Sequence, residues 1–250
     1  MFSQFPKIRP PLPDEIARIY KRYYKKNRTG RTPASFVSQW AESWLHKQVA
    51  ADVRTDHSRK TTLEIGAGTL NQLQFEPAIG PYDIVEPFHE LHAEANARNR
   101  IRSIYQDITD VPTSQLYDRI TSIATFEHIC NLPEVIAKTG LLLVEGGCLR
   151  VSIPSEGTPV WRVAWELTTG IEFRIRYRLD FGALRRHEHV NNAREIETLL
   201  NYFFVDIQTK ILGITRGISL YRFYACKSPD RERCQHYLDD NCHGRKKHEP

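Results

Sequence analysis

The pattern of apolar and polar positions divides the chain into two parts. Before Thr61, apolar residues recur at helical spacing, which predicts one helix from Glu15 to about Lys26 and another from Ser35 to about Val53. From Thr61 onward, short apolar runs bounded by glycine or acidic residues alternate with helix-like segments. This alternation predicts βαβ units around a mainly parallel sheet, and therefore an α/β fold.

The second part contains seven strand-like runs. In chain order they are TTLEIGAG, YDIVEP, Ile101 to Tyr105, RITSIAT, CLRVSIP, VDIQTKILG and LYRFYAC. Two helices are predicted between them, from about Pro133 to Leu143 and around Ala193 to Tyr202. We therefore expect three regions: an N-terminal helical extension at 1–60, a main domain at 61–228 and a mobile tail at 229–250. An insertion at about 155–192 interrupts the main domain after the fifth strand.

The composition is that of an ordinary globular protein. The chain has 250 residues, of which 40% are hydrophobic and 26% are charged. No apolar run approaches the roughly 20 residues that span a bilayer, and the opening residues lack the apolar stretch of a signal peptide. Five scattered cysteines do not form a disulfide framework. We expect a cytoplasmic protein without a membrane span.

The positive charge is concentrated at the beginning of the chain. The net charge is +5, and residues 1–60 carry 13 Lys and Arg against five Asp and Glu. Such a basic surface can attract a phosphate-bearing partner such as RNA. A solvated amphipathic helix explains the same pattern, so both interpretations stay open.

The first strand runs into a glycine turn, Glu64-Ile-Gly66-Ala-Gly68. A dinucleotide fingerprint requires a third glycine three positions after the second, and that position is Asn71. The carboxylate of Glu64, just before the turn, instead suits a ligand that carries an amine and a sulfonium. A plain strand-to-helix turn remains the alternative.

Acidic residues also follow the next two strands. Glu86 ends the second strand, twenty residues after Gly66, where a carboxylate can accept both ribose hydroxyls. Asp107 ends the third strand and can accept a hydrogen bond from an adenine amine. Since an open parallel sheet binds its ligand at the carboxyl ends of its strands, these groups are expected to converge. Alternatively, Glu86 pairs with a surface lysine and Asp107 caps a helix.

Four segments, LEIGAGT, IVEP, YQDIT and YDRITSIATFEHI, resemble the successive motifs of class I S-adenosylmethionine (SAM) dependent methyltransferases. The resemblance covers about Thr61 to Ser228 and implies a Rossmann-like sheet of seven strands, flanked by helices, with the last strand antiparallel. Leu70 departs from the family pattern, because many members have a third glycine there. The resemblance implies SAM as the cofactor. It implies that SAM is bound at Glu64, Gly66, Ala67, Gly68, Thr69, Glu86, Pro87, Phe88, Asp107, Ile108, Thr125, Phe126 and Glu127.

Three histidines are candidates for the general base that an oxygen acceptor requires. His128 follows the fourth strand, and Glu127-His128 resembles a pair found in many small-molecule members of the family. His187 and His189 lie in the segment RRHEHVNN within the insertion. Each of the three can equally serve the fold. The segment around His128 lacks the motifs for methylation of nucleic-acid bases, which argues against a nucleic-acid partner without excluding RNA ribose as the acceptor.

The insertion also supplies candidate acceptor-binding residues: Tyr177, Arg178, Glu188 and Asn191. Arginines between Arg174 and Arg186 suit a phosphate or a carboxylate on the acceptor. The alternative is a solvated basic strand, followed by a helix that Asn191 or Asn192 caps. The chain further resembles methyltransferases associated with bacterial polysaccharide and sugar modification. That resemblance implies O-methyl transfer to a small polar acceptor such as a sugar or a nucleotide-linked sugar.

Two other functions remain possible: an RNA-modifying methyltransferase that uses the basic N-terminal helices, and a SAM-binding protein without catalytic activity. Four tail residues, Cys234, His236, Cys242 and His243, are of metal-ligating types. The adjacent pair Cys242-His243 is not a usual zinc spacing, so no metal site is predicted. The sequence makes no prediction about the oligomeric state.

Overall fold

The computed structural model describes residues 2–16, 36–55, 59–93, 95–165 and 181–245. Most of the helix predicted from Glu15 to about Lys26 lies outside these ranges, although residues 14–16 are helical. Within them, no helix combines the length and the apolar character needed to cross a bilayer.

The strands form a single seven-stranded sheet. Their bounds are β1 Thr62–Ile65, β2 Tyr82–Val85, β3 Ser103–Tyr105, β4 Tyr117–Ile123, β5 Leu143–Pro154, β6 Phe204–Thr215 and β7 Ile218–Pro229. The spatial order is β3-β2-β1-β4-β5-β7-β6. The first five strands pair in parallel, whereas β7 runs antiparallel to both β5 and β6. The predicted fold class is therefore confirmed.

Helices flank the sheet. They are α1 Phe36–Thr55, α2 His89–His92, α3 Leu132–Leu142, α4 Pro159–Trp165, α5 Phe181–Glu188, α6 Ala193–Phe203 and α7 Arg231–Arg245. Four short 3-10 helices lie at Asn71–Gln74, Arg98–Arg100, Ile108–Asp110 and Phe126–His128. The cap of α6 is Asn192, whose side chain accepts hydrogen bonds from the amides of Arg194 and Glu195. Asn192, rather than Asn191, therefore begins this helix.

Both faces of the sheet are buried along its central strands, as alternate residues of β5 show. Leu149 and Val151 join the core that α3 and α6 cover, whereas Cys148 faces Leu45 and Val49 of α1. Strands covered on both faces are apolar nearly throughout, which explains the uninterrupted apolar runs in the sequence.

Charged groups also hold α1 against the sheet. The buried guanidinium groups of Arg119 and Arg150 donate hydrogen bonds to the carbonyl of Val49 at 3.2 and 2.8 Å, and both form ion pairs with Asp52. Arg119 also pairs with Glu76 at 2.8 Å. The N-terminal extension is therefore bound to the main domain through buried, mutually neutralised charges.

The C-terminal segment differs from the mobile tail that the sequence predicts. It forms α7, in which Cys234 is fully buried beside Gly140 of α3 and Tyr237 packs against Phe2 and Phe203. Cys234, Tyr237 and Leu238 are three or four positions apart or adjacent, so they lie on one face of the helix, and that face packs against the core. In the part of the chain that the structure describes, no group of His, Cys, Asp and Glu has the arrangement of a metal site. The side chains of Cys242 and His243 lie outside that part.

Candidate functional site

The glycine turn after β1 has a backbone that glycine alone adopts easily. Gly66 has a φ of +71° and Gly68 a φ of +51°, both in the left-handed region. The amide of Gly66 donates to the carbonyl of Val85 at 2.9 Å. A Cβ atom added to Gly66 would lie 2.3 Å from Cγ2 of Thr125. The turn thus presses its bare backbone against the loop that follows β4.

Leu70 shows how the loop forms without the third glycine that the family pattern expects. Its φ is +62°, so a leucine occupies the left-handed conformation at this position. The strain costs about 1–2 kcal/mol. Burial of the side chain with Leu73 and Ile84 offsets it.

Glu86 connects the glycine turn to the end of β2. Its carboxylate is only 3% exposed, with Oε2 accepting from the amide of Gly68 at 2.8 Å and Oε1 from the amide of Phe88 at 3.0 Å. The carboxylate bonds to backbone rather than to a surface lysine. These two hydrogen bonds fix its position at the carboxyl edge of the sheet, beside the exposed Pro87 and Phe88.

Asp107 caps a short helix, as one of the two sequence interpretations proposes. Its Oδ1 accepts from the amide and the hydroxyl of Thr109 at 2.8 and 2.7 Å, and its own amide donates to Asp110. The residue is exposed, and no other described residue donates a hydrogen bond to Oδ2. Capping and binding of an adenine amine at Oδ2 are therefore compatible.

The sheet topology brings these acidic groups to one edge. Val85 is the register partner of both Ile65 and Tyr105, so the last residues of β1, β2 and β3 lie side by side. The amide of Glu86 donates to the carbonyl of Tyr105 at 2.8 Å. Of the other predicted cofactor residues here, Ala67 and Ile108 are buried and Thr69 is half-buried.

Glu64 lies beneath the turn rather than at the open edge. Its carboxyl group is buried and accepts a hydrogen bond from the hydroxyl of Tyr82 at 2.8 Å. Burial raises the pKa of Glu64 to about 8, although the Tyr82 hydrogen bond and the charge of Arg119 oppose the shift. At neutral pH this group is mostly a neutral acid.

The loop after β4 is joined to the segment before α6. The carbonyl of Glu127 accepts from the amides of Val190 and Asn191 at 2.8 and 3.1 Å. The buried Asn191 side chain donates to the carbonyls of Phe126 and Ile129 at 2.9 and 2.7 Å. Asn191, predicted to bind the acceptor, thus holds two loops together, and Phe126 is fully buried in the core. The Thr125 hydroxyl lies 3.0 Å from the carbonyl of Ile123.

Two of the three candidate histidines meet in this region. The rings of His128 and His189 contact edge to face at 4.7 Å, and Nδ1 of His128 lies 2.9 Å from the carbonyl of Glu188. His187 lies apart from them, with Nδ1 at 2.8 Å from the carbonyl of Pro10. The predicted substrate residue Glu188 thus contributes its backbone here, and Tyr177 and Arg178 lie outside the described residues.

A third residue, Glu156, joins these two histidines, and the sequence did not predict it as a site residue. It follows β5 by two residues, is buried, and hydrogen-bonds Nδ1 of His189 while accepting from Arg185 at 2.8 Å. Burial alone would lower the pKa of His189, but the hydrogen bond and charge of Glu156, with the charges of Glu127 and Glu188, raise it. The rule that identified Glu86 and Asp107, an acidic residue just after a strand, applies to Glu156 as well.

The N-terminal residues brace the same loops. Arg9 donates to the carbonyls of His128, His187 and Glu188 at 2.6, 2.8 and 3.1 Å. Lys7 donates to the carbonyl of Val190 and pairs with Glu195, both at 2.8 Å. These contacts hold the loops after β4 and before α6 from outside.

Comparison with known proteins identifies the fold. The chain matches none of the protein-family models and none of the curated proteins with which it was compared. It is similar to the structure of the plantazolicin methyltransferase BpumL in complex with SAH, with a TM-score of 0.57 at 15% identity. That match covers 86% of this chain and 92% of the other. The chain has the fold of SAM-dependent methyltransferases.

Two further structures support this assignment of the fold. One is a SAM-dependent methyltransferase from Thermotoga maritima, described as a possible histamine N-methyltransferase, at 13% identity and a TM-score of 0.52. This match covers 85% of the chain and 97% of that protein. The other is the N-methyltransferase NodS from Bradyrhizobium japonicum, at 14% identity and a TM-score of 0.51, covering 74% of this chain and 94% of that protein.

Proposed function

We propose that the chain is a SAM-dependent methyltransferase that methylates an oxygen of a small polar acceptor, such as a sugar or a nucleotide-linked sugar. The observation that carries the proposal is the hydrogen bond between the buried Glu156 and His189, whose ring contacts His128. His128 follows β4, Glu156 follows β5 and His189 lies just before α6; β4 is adjacent in the sheet order to β1 of the acidic edge.

The residues at the acidic edge fit the cofactor. The glycine turn lies at this edge, where its backbone suits the methionine part, and the fixed carboxylate of Glu86 suits the ribose hydroxyls. Asp107 offers Oδ2 to the adenine amine. SAM, when bound, supplies an electrophilic methyl group. The main task left to the protein is to align the acceptor for in-line displacement.

His189 is suited to remove the acceptor proton. Since Nδ1 is bonded to Glu156, the proton of the acceptor hydroxyl goes to Nε2, while the hydroxyl oxygen takes the methyl group. Glu156 orients the ring and stabilises the imidazolium that forms. Arg185, which donates to Glu156 at 2.8 Å, places a cation beside this pair and suits an acidic acceptor.

The experiment is a screen of methyl-labelled SAM against sugars, nucleotide sugars and RNA, followed by the pH profile of the active acceptor. Because His189 must be neutral to accept a proton and its pKa is raised, the rate should fall as the pH drops through this raised pKa. Glu156→Gln should move the acidic limb of the profile to lower pH and slow turnover about 10–100-fold. His187→Ala, as the matched control, should keep full activity. Full turnover by both His128→Ala and His189→Ala would contradict base catalysis by histidine.

Some basic residues behind the RNA hypothesis serve the fold. Lys7 and Arg9 bind carbonyl groups and a carboxylate of the protein itself. Lys21, Arg22, Lys25 and Lys26 of the predicted N-terminal helix, on which the RNA hypothesis depends, lie outside the described residues. Transfer of labelled methyl to RNA alone in the screen would favour that function over the proposed one.

A further inference from the structure

Strand β6 forms one edge of the sheet and is unusually apolar for such a position. It pairs with β7 on one side, and within the described ranges no strand pairs with its other side. The strand is 12 residues long, and the side chains of Val205 and Ile214 are 78% and 82% exposed. Long edge strands with exposed apolar residues tend to pair with another strand.

The charges along β6 are complementary under one symmetric pairing. Asp206, Gln208 and Lys210 are all exposed and, as alternate residues, share one face of the sheet. If two copies of β6 pair antiparallel about a two-fold axis at Gln208, Asp206 of each copy lies opposite Lys210 of the other. The same register places Val205 opposite Ile211 on the other face.

Symmetry limits the registers that such a pairing can have. A two-fold axis perpendicular to the sheet keeps each side chain on its own face. Opposed residues must therefore be an even number of positions apart, so the axis lies between two copies of the same residue. An axis at Asp206 or at Lys210 would place like charges directly opposite each other. The axis at Gln208 instead gives two attractive charge pairs and two apolar pairs in a single interface.

We propose that β6 pairs with β6 of a second copy of this chain, forming a two-fold dimer through a continuous antiparallel sheet. Charged residues on an edge strand can also serve to prevent aggregation, and this would explain Asp206 or Lys210 taken alone. It would not explain the opposite signs at equal distances from Gln208, nor the exposed Val205. The sheet order places β6 at the opposite end from β1, β2 and β3, so the dimer leaves the proposed cofactor edge open. The inference is independent of the proposed function.

The test is the molar mass of the full chain by light scattering at tens of micromolar protein. The wild type should have twice the mass of one chain. Asp206→Lys and Lys210→Asp each put like charges at both symmetric pairs and should weaken association at least about tenfold. The double variant Asp206→Lys/Lys210→Asp restores opposite charges and should dimerise again. Glu232→Lys, an exposed reversal on α7, changes the net charge as Asp206→Lys does and should leave the dimer intact.

Lys210→Asp is the cleaner single variant. Asp206 lies opposite Lys227 within the chain, so its reversal also affects that pair, whereas Lys210 lies opposite Phe223. Thermal unfolding of each variant verifies that it is folded. Hydrogen exchange locates the interface, because amides of residues 205–211 should exchange more slowly as the protein concentration rises.

A wild type with the mass of one chain would overturn the proposal. So would folded single reversals that still dimerise, or a folded double reversal that stays monomeric. Exchange at residues 205–211 that is independent of concentration would also contradict it.

Discussion

Left-handed backbone conformations are concentrated at the carboxyl edge of the sheet. Gly66, Gly68 and Leu70 follow β1, and Ala124, with a φ of +48°, follows β4. Each non-glycine residue in this region is strained, and such strain persists where the surroundings determine the conformation fully. At this edge the surroundings are the contact between Gly66 and Thr125 and the hydrogen bond from Gly68 to Glu86.

Gly66→Ala tests whether the close approach matters beyond the backbone angle. Gly146→Ala is its matched control, because Gly146 has a φ of +75° and nothing within 4 Å of an added Cβ atom. Both variants should lose about 1 kcal/mol from the left-handed conformation. Gly66→Ala should lose a further ~1–3 kcal/mol because Thr125 must move. Urea unfolding measures both, and equal losses would contradict the proposed contact.

Glu64 gives a prediction about pH. The pKa of Glu64 is about 8 in the folded protein and 4.5 in the reference state. Its contribution to stability is therefore fully present below pH 4.5 and is lost as the pH rises through 8. Within this window the wild type should lose up to about 1.4 kcal/mol per pH unit relative to Glu64→Gln, whose amide still accepts from Tyr82. Urea unfolding of both proteins from pH 5 to pH 9 measures this difference. Stability curves that run parallel over this range would contradict the prediction.

At the scale of elements, α7 shows how a polar helix is attached by few residues. Tyr237 contacts the rings of Phe2 and Phe203 at centroid distances of 4.8 and 5.6 Å, which links the two ends of the described chain through one cluster. Cys234 fills the space beside Gly140. The helix therefore closes the core that α3 and α6 form with the sheet.

Tyr237→Ala should destabilise the protein by about 3 kcal/mol, because it removes a buried ring from a packed aromatic cluster. The control is His236→Ala on the same helix, where the side chain is 74% exposed and its ion pair with Asp240 is on the surface. It should cost less than about 1 kcal/mol. Chemical denaturation compares the two, and similar losses would mean that α7 is not attached through Tyr237.

The sequence predicted elements well where they carry periodic apolar runs, and poorly where attachment depends on a few residues. All seven strands, α1, α3 and α6 lie where the pattern places them. The attachment of α7 was missed because it depends on few apolar residues, Cys234, Tyr237 and Leu238, in a segment that is otherwise mostly polar. The positioning role of Asn191 was also missed, since side-chain hydrogen bonds to distant carbonyls leave no local pattern.

The same contrast holds within the candidate site. The positions of Glu86 and Asp107 at the carboxyl edge could be predicted because strand ends are visible in the sequence. The pairing of Glu156 with His189 joins residues 33 positions apart, and only the packing of the two segments brings them together. The hydrogen bonds of Arg9 join residues that are still farther apart in the sequence, and they were not predicted.

At the scale of the whole molecule, the carboxyl edge of one sheet carries two adjacent sets of groups. The ends of β1, β2 and β3 bear the glycine turn, Glu86 and Asp107, which suit a nucleoside. The loops after β4, after β5 and before α6 bear His128, Glu156 and His189, the groups proposed for proton removal from an acceptor. The N-terminal residues brace the second set from outside. This division predicts that variants of the first set lose cofactor affinity, whereas variants of the second keep it and lose turnover.

The most direct test of the account is calorimetric titration of the purified chain with SAH. The wild type should bind at micromolar concentration, and Glu86→Ala should bind at least about tenfold more weakly because it loses charge-assisted hydrogen bonds to the ribose. Glu90→Ala, which removes an exposed carboxylate four residues along, and His189→Ala should bind like the wild type. No binding by the wild type at millimolar SAH, or equal affinity in Glu86→Ala, would contradict the account.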